Sequence, residues 1–259
     1  MNLLRLRGLF WLLVCVGVLG WAESARAAAE VRRFSFVISA SPTMINAQDF
    51  NDKFVDGLNQ TVLGPRGLEG LDKVGFGWFF DAQLRYFVRP NVAIEAGAGH
   101  LRSIVEREFL PTLNAGVRFR GEVLTVPVHV GGAYYLPPYN QGDFQARVFM
   151  GGGVVSSVYN RAKFQAEEEG TDAASTLGGR FRAVATGDSP SYYVETGVHM
   201  FFAARYSIML GALYRSSVVR EAQVVPAPGY PATMPAWVPE TVDLDTGGLG
   251  ARFALAIGL

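Results

Sequence analysis

The chain has 259 residues, with 23 Lys and Arg balanced by 23 Asp and Glu. That balance leaves no basic footprint for nucleic acid. Hydrophobic residues make up 49% of the chain, yet beyond the N-terminal leader no run reaches the ~18 apolar residues of a membrane helix.

The leader occupies residues 1–29. Arg5 and Arg7 form a basic start, Leu9 to Trp21 is an apolar run too short to span, and Ala25-Arg26-Ala27 and Ala27-Ala28-Ala29 are small-residue exits. This is the pattern of a secretory signal peptide. The only cysteine, Cys15, lies inside the apolar run after Val14. The missing small residue before it argues against lipidation, and the mature chain has no disulfide. Residues 30–259 are long enough for one domain.

The mature chain opens with a strand at about 32–41, with Phe34, Phe36, Ile38 and Ala40 on one face. A long connection, 42–73, comes next. In it Phe50, Phe54 and Leu58 recur every fourth residue from Ile45 to Leu58, which predicts a short amphipathic helix. Gly64-Pro65-Arg66-Gly67 reads as irregular loop. Residues 74–99 predict a hairpin around Arg89-Pro90-Asn91. Phe76, Trp78, Phe80, Ala82, Leu84, Tyr86 and Val88 form one apolar face, and Asp81, Gln83 and Arg85 lie on the other. Eight such residues, tilted ~40°, span roughly 20 Å, close to the apolar band of an outer-membrane barrel.

The third strand keeps Val92, Ile94, Ala96 and Ala98 on the apolar face and fades past Ile104. The parity of Val117 and Phe119 disagrees with that of Leu124 and Val126, so a bulge or break is expected at Gly121. Strands at about 122–136, 144–161, 191–203, 206–220 and 247–259 complete the set. Pro127 predicts a local distortion in the fourth. A polar loop at 162–190 carries Glu167-Glu168-Glu169-Gly170-Thr171-Asp172, and a proline-rich loop fills 223–240.

Eight strands with long connections after the first, third, fifth and seventh, and short ones between, match the alternation of an outer-membrane barrel. Without spanning helices, only a closed barrel pairs every backbone group in lipid. The expected fold is therefore all-β: an eight-stranded, antiparallel, up-and-down transmembrane β-barrel over 30–259. Both termini are expected on the periplasmic side.

The hairpin 74–99, with its Y-F-V-R-P-N turn, and the final strand G-G-L-G-A-R-F-A-L-A-I-G-L resemble the small OmpA/OmpX-like and OmpW-like outer-membrane barrels. The chain departs from that pattern by ending in Leu259 rather than an aromatic residue. The resemblance implies recognition of the last strand by the outer-membrane insertion machinery, a bilayer of outer-membrane lipids as surroundings, and, on the OmpW-like side, a small hydrophobic ligand. It implies no cofactor.

Strand parity points Asp81, Arg85, Glu95, His129, Arg147, Glu195, His199, Arg215 and Arg252 inward. An eight-stranded interior is just wide enough for side chains to fill, so these charges are expected to pair and plug the lumen. Trp78, Tyr86, Tyr134, Tyr192, Tyr206 and Tyr214 are expected to form the aromatic girdles. Phe50, Phe54 and Leu58 either pack on the barrel or meet a ligand. The histidines lack metal-ligand spacing, and no local motif assembles nucleophile, base and acid, so an enzyme is not expected. Three roles remain: a structural or surface-interaction barrel acting through its loops, a conduit or binder for small hydrophobic molecules, and, behind both, a lipid-modifying barrel enzyme.

Overall fold

The computed structural model describes residues 33–112, 115–141, 144–169, 181–202, 205–231 and 233–259. The leader, Gly170–Asp172 of the acidic stretch and the turn residues Ala203 and Ala204 lie outside the described residues. The strands are β1 (Phe34–Met44), β2 (Phe76–Arg89), β3 (Val92–Thr112), β4 (Ala115–Tyr135), β5 (Tyr139–Gln141), β6 (Phe144–Glu169), β7 (Phe181–Gly187), β8 (Pro190–Phe201), β9 (Tyr206–Ser216), β10 (Val218–Pro226), β11 (Thr241–Asp245) and β12 (Gly248–Gly258). Eight of them form a closed antiparallel ring in the order β1, β2, β3, β4, β6, β8, β9, β12. Phe36 faces Ile257 across the β1–β12 seam, and Val148 faces Val198 between β6 and β8.

Three strands far exceed the ~9–11 residues that a bilayer requires: β3 and β4 have 21 each and β6 has 26. Their excess stands above the ring at the end carrying the long connections. There β6 leaves β8 and pairs with β7 over Asn160–Ala166, and β10 joins β7 to β11. The described parts of the 162–190 stretch expected as loop, 162–169 and 181–190, are thus largely strand, and the seventh strand divides at Ser217 into β9 and β10.

Polarity inverts along these long strands: β3 and β4 keep one side-chain parity throughout, while β6 shifts by one residue at Val158. In the ring, Phe80, Leu84, Val130, Val154 and Phe253 are exposed on the outer face. Higher up, Val117, Phe119, Phe164, Ala166 and Phe181 are buried on the inner face. A strand keeps period two wherever it runs; what changes is which side meets water. This corrects the expected break at Gly121. That residue pairs without interruption with Val105 and Phe164, and a Cβ there would press on Phe50. The one irregularity between β4 and β6 falls beside Pro127, where Val126 faces Tyr159 and Pro127 faces Ser157. Val158 is the extra residue, as a proline without a ladder donor favours.

The helix α1 runs over Gln48–Arg66, longer than the expected 45–58. Standard turns at Gln48–Phe50 and Asp56–Leu58 alternate with wider π turns at Asn51–Val55 and Asn59–Leu63. The alternation keeps Phe50, Phe54, Leu58 and Val62 on one buried face. A 3-10 turn at Gly64–Arg66 closes it, and Gly67 comes next at φ 67°. That left-handed conformation favours glycine and lets the Leu68 N–H donate to the Leu63 carbonyl at 3.1 Å.

Candidate functional site

The interior has three layers. At the short-turn end, Val37, Phe87, Ala93, Ala133, Tyr135, Phe149, Met209, Ala254 and Ala256 form an apolar floor. In mid-barrel sits a charged layer. Arg85 Nη2 lies 2.6 Å from Glu95 Oε2 and 2.9 Å from Glu195 Oε1. Arg252 reaches Glu195 through Nη1 and Asp81 Oδ2 through Nη2 at 3.4 Å. The Tyr193 hydroxyl donates to Glu95 Oε1 at 2.5 Å. His129 Nδ1 stands 3.6 Å from Asp81 Oδ1, and its Nε2 3.4 Å from Gln83. The chain of contacts Asp81–Arg252–Glu195–Arg85–Glu95 therefore crosses the barrel from strand to strand. Each carboxylate in it meets at least one cation, as burial of charge demands.

Arg147 and Arg215 point inward but stand apart from these ion pairs. Among the described residues neither has a carboxylate within ion-pair distance. Arg215 lies above the charged layer, its guanidinium carbon 4.1 Å from the Phe79 ring centroid, and donates to the Thr246 carbonyl at 3.4 Å. Arg147 lies below it, 5.1 Å from the Tyr135 ring centroid. Aromatic faces attract guanidinium groups, and here they occupy the positions that carboxylates were expected to fill.

His199 belongs to the floor. Its Nε2 is 2.7 Å from Ser207 Oγ and its Nδ1 is 3.1 Å from the Tyr135 hydroxyl. The latter also accepts from Arg85. A serine beside a histidine is part of a hydrolase constellation, but here a phenol takes the place of the orienting acid. His199 is 1% and Ser207 7% exposed, so the pair is buried. Tyr135, Tyr193, Gln83 and Ser207 complete the polar layer. Strand parity places Tyr135 and Tyr193 inward, but their hydroxyl partners lie on distant strands that local spacing does not connect.

Gly131 leaves room for the Tyr193 hydroxyl, since a Cβ there would collide with it. Between the charged layer and the next lies a cavity of about 20 Å³, lined by Asp81, Gln83, His129, Tyr193, Arg215 and Arg252 among others. It has room for about one water.

The third layer is the apolar chamber under the long connections. Phe50, Phe54 and Leu58 of α1 enter it from one side. Phe54 stacks on Phe164 with centroids 5.5 Å apart, and Trp237 meets Phe164 edge-on at 5.9 Å. The asparagine side chains at Asn51 and Asn59 tie α1 to the chain below it. Asn51 pairs with both backbone polar groups of Val74, and Asn59 with those of Leu71. At the rim, burial pushes the Asp245 carboxyl up against the lowering pull of the Gly247 N–H and the Asn46 amide.

On the outer wall the aromatic residues form two belts. Tyr86, Tyr134 and Tyr206 lie at the short-turn end, opposite Ile94, Val92 and Ile257. Trp78, Tyr192 and Tyr214 lie at the other end, opposite Arg102, Ser216 and Leu249.

No family model matches the chain, and no curated protein sequence does. Among solved structures it is similar to Neisserial surface protein A, at 9% identity over 87% of this chain and 97% of that one, with a TM-score of 0.44. It is similar also to the outer membrane protein OprG from Pseudomonas aeruginosa, at 14% identity over 89% and 98%, with a TM-score of 0.46. A third is Ail, the attachment invasion locus protein of Yersinia pestis, at 14% identity over 88% and 97%, with a TM-score of 0.32. The chain's own geometry, a closed ring of eight antiparallel strands with an apolar outer belt and two aromatic margins, is that of a small outer-membrane β-barrel.

Proposed function

We propose that this protein is a closed outer-membrane barrel that acts through its wall and its long-loop end, in a structural or surface-interaction role, and not as an open pore. The filling of the lumen carries this reading: an apolar floor, a paired charged layer and an apolar lid succeed one another along the axis. Each layer excludes solvent by a different means, and a solute would have to displace all three. The long strands and α1 project where a partner outside the cell would meet them, while short turns close the opposite end.

The orientation can be tested by labelling. Glu69 has a side chain 85% exposed on the long connection, and Arg89 is exposed at the short-turn end. The mature chain contains no cysteine, so Glu69→Cys and Arg89→Cys each introduce a single thiol. A membrane-impermeant maleimide should label Glu69→Cys on intact cells and Arg89→Cys only after lysis. The reverse pattern would overturn the reading.

A further inference from the structure

Just above the apolar belt, the outer wall carries a group of cations arranged around one carboxylate. Glu122 is 2% exposed, although its side chain leaves the barrel outward. Arg102 Nε lies 3.3 Å from its Oε1 and Arg161 Nη2 3.2 Å. Arg120 Nη2 and Lys163 Nζ each lie 3.3 Å from its Oε2. Four cations thus share one anion; among the described residues only Arg120 of the four has a second carboxylate, Glu106 at 3.4 Å. The strand register explains the clustering. Arg102, Leu124 and Arg161 face one another across β3, β4 and β6, and Ile104, Glu122 and Lys163 form the next row.

Two further observations fix what this group faces. Its lower margin is the aromatic belt at the long-loop end: Arg102 lies opposite Trp78, and the Arg161 guanidinium lies 5.7 Å from the Tyr159 ring centroid. Arg102 remains nearly half exposed even while touching Glu122. Guanidinium groups match phosphate oxygens bidentately, and surplus cations at headgroup depth are drawn to anionic lipid. We propose that this patch binds the phosphate groups of a lipid headgroup in the leaflet at the long-loop end. Arg102, Arg161 and Lys163 supply the donors, and Glu122 offsets part of their charge. The site rests on the transmembrane reading above, and it names the surface chemistry of that wall.

The test uses the full mature chain refolded into phosphatidylcholine vesicles, with insertion verified by the shift between heated and unheated samples on a denaturing gel. Binding is then measured with bisphosphorylated lipid A and with its dephosphorylated form. Preference for the phosphorylated lipid is expected, weakened by about tenfold or more in Arg161→Gln/Lys163→Gln and unchanged in Lys73→Gln on the distant connection. Glu122→Gln should tighten binding, because it removes the competing anion; a purely structural role for the cluster would not give that sign. Equal binding of the two lipids by an inserted chain would overturn this inference alone, as would equally tight binding of inorganic phosphate. A chain that fails to insert would overturn the transmembrane reading with it.

Discussion

Arg85 and Glu95 stand directly opposite one another on β2 and β3 and close a 2.6 Å ion pair at the centre of the barrel, both side chains wholly buried. The pairing follows from register alone, because both residues fall on the inner parity of adjacent strands. Arg85 also serves Glu195 from across the lumen, so one guanidinium neutralises two carboxylates.

Arg85→Ala should therefore be among the costliest substitutions in the molecule. It strands Glu95 without an ion-pair partner and weakens the hold on Glu195; breaking a buried pair in this way costs ~3–5 kcal/mol. Arg215→Ala leaves no carboxylate without its nearest cation and removes chiefly a contact with a ring, worth about 2 kcal/mol when desolvated. Urea unfolding in vesicles should rank the two in that order. Equal losses would show that Arg215 belongs to the ion-pair chain after all.

Phe80 tests the outer face. It is 53% exposed within the apolar belt, and Phe80→Arg should cost ~2–4 kcal/mol in bilayer refolding. Ile104 shares the outward parity but lies in the row beside Glu122, above the belt. Ile104→Arg should cost no more than ~1 kcal/mol, the value near an interface. If both were neutral, the belt would not be facing lipid.

Phe54 tests the lid. It is 2% exposed between Phe50 and Phe164, and truncating such a side chain to alanine costs ~3–5 kcal/mol in a packed core. In Phe54→Ala the loss should be local. Amide exchange should accelerate across Gln48–Arg66 while β2 and β3 stay protected. A small apolar dye should bind this variant and not the wild type; saturable binding to the wild type would favour the hydrophobic-ligand role.

Much of the ring was legible in the sequence because lipid imposes one rule on every outward position. Phe76 to Val88 alternates cleanly, and the outer face can be read from it without reference to any other strand. Above the belt the rule reverses. Val117 and Phe119 appeared out of phase with Leu124 and Val126 because apolar meant inward for one pair and outward for the other. In 162–169 a second shift acts: the extra residue at Val158 exchanges the inner and outer parity of β6, and only through it do Phe164 and Ala166 face the chamber. The inward charges were identified by parity, but their partners were not. Whether Arg215 meets Asp81 or Phe79 depends on height along the axis, which is set by strand stagger and leaves no mark in local spacing. Tyr193 carried an inward parity, yet its role emerges only where Gly131 makes room for it.

The filled lumen is tested most directly by planar-bilayer recording on the pure monomer. Three consecutive solvent-excluding layers predict no steady conductance above the bare membrane, in low or high salt. A stable, ohmic, porin-like channel from wild-type protein would contradict it.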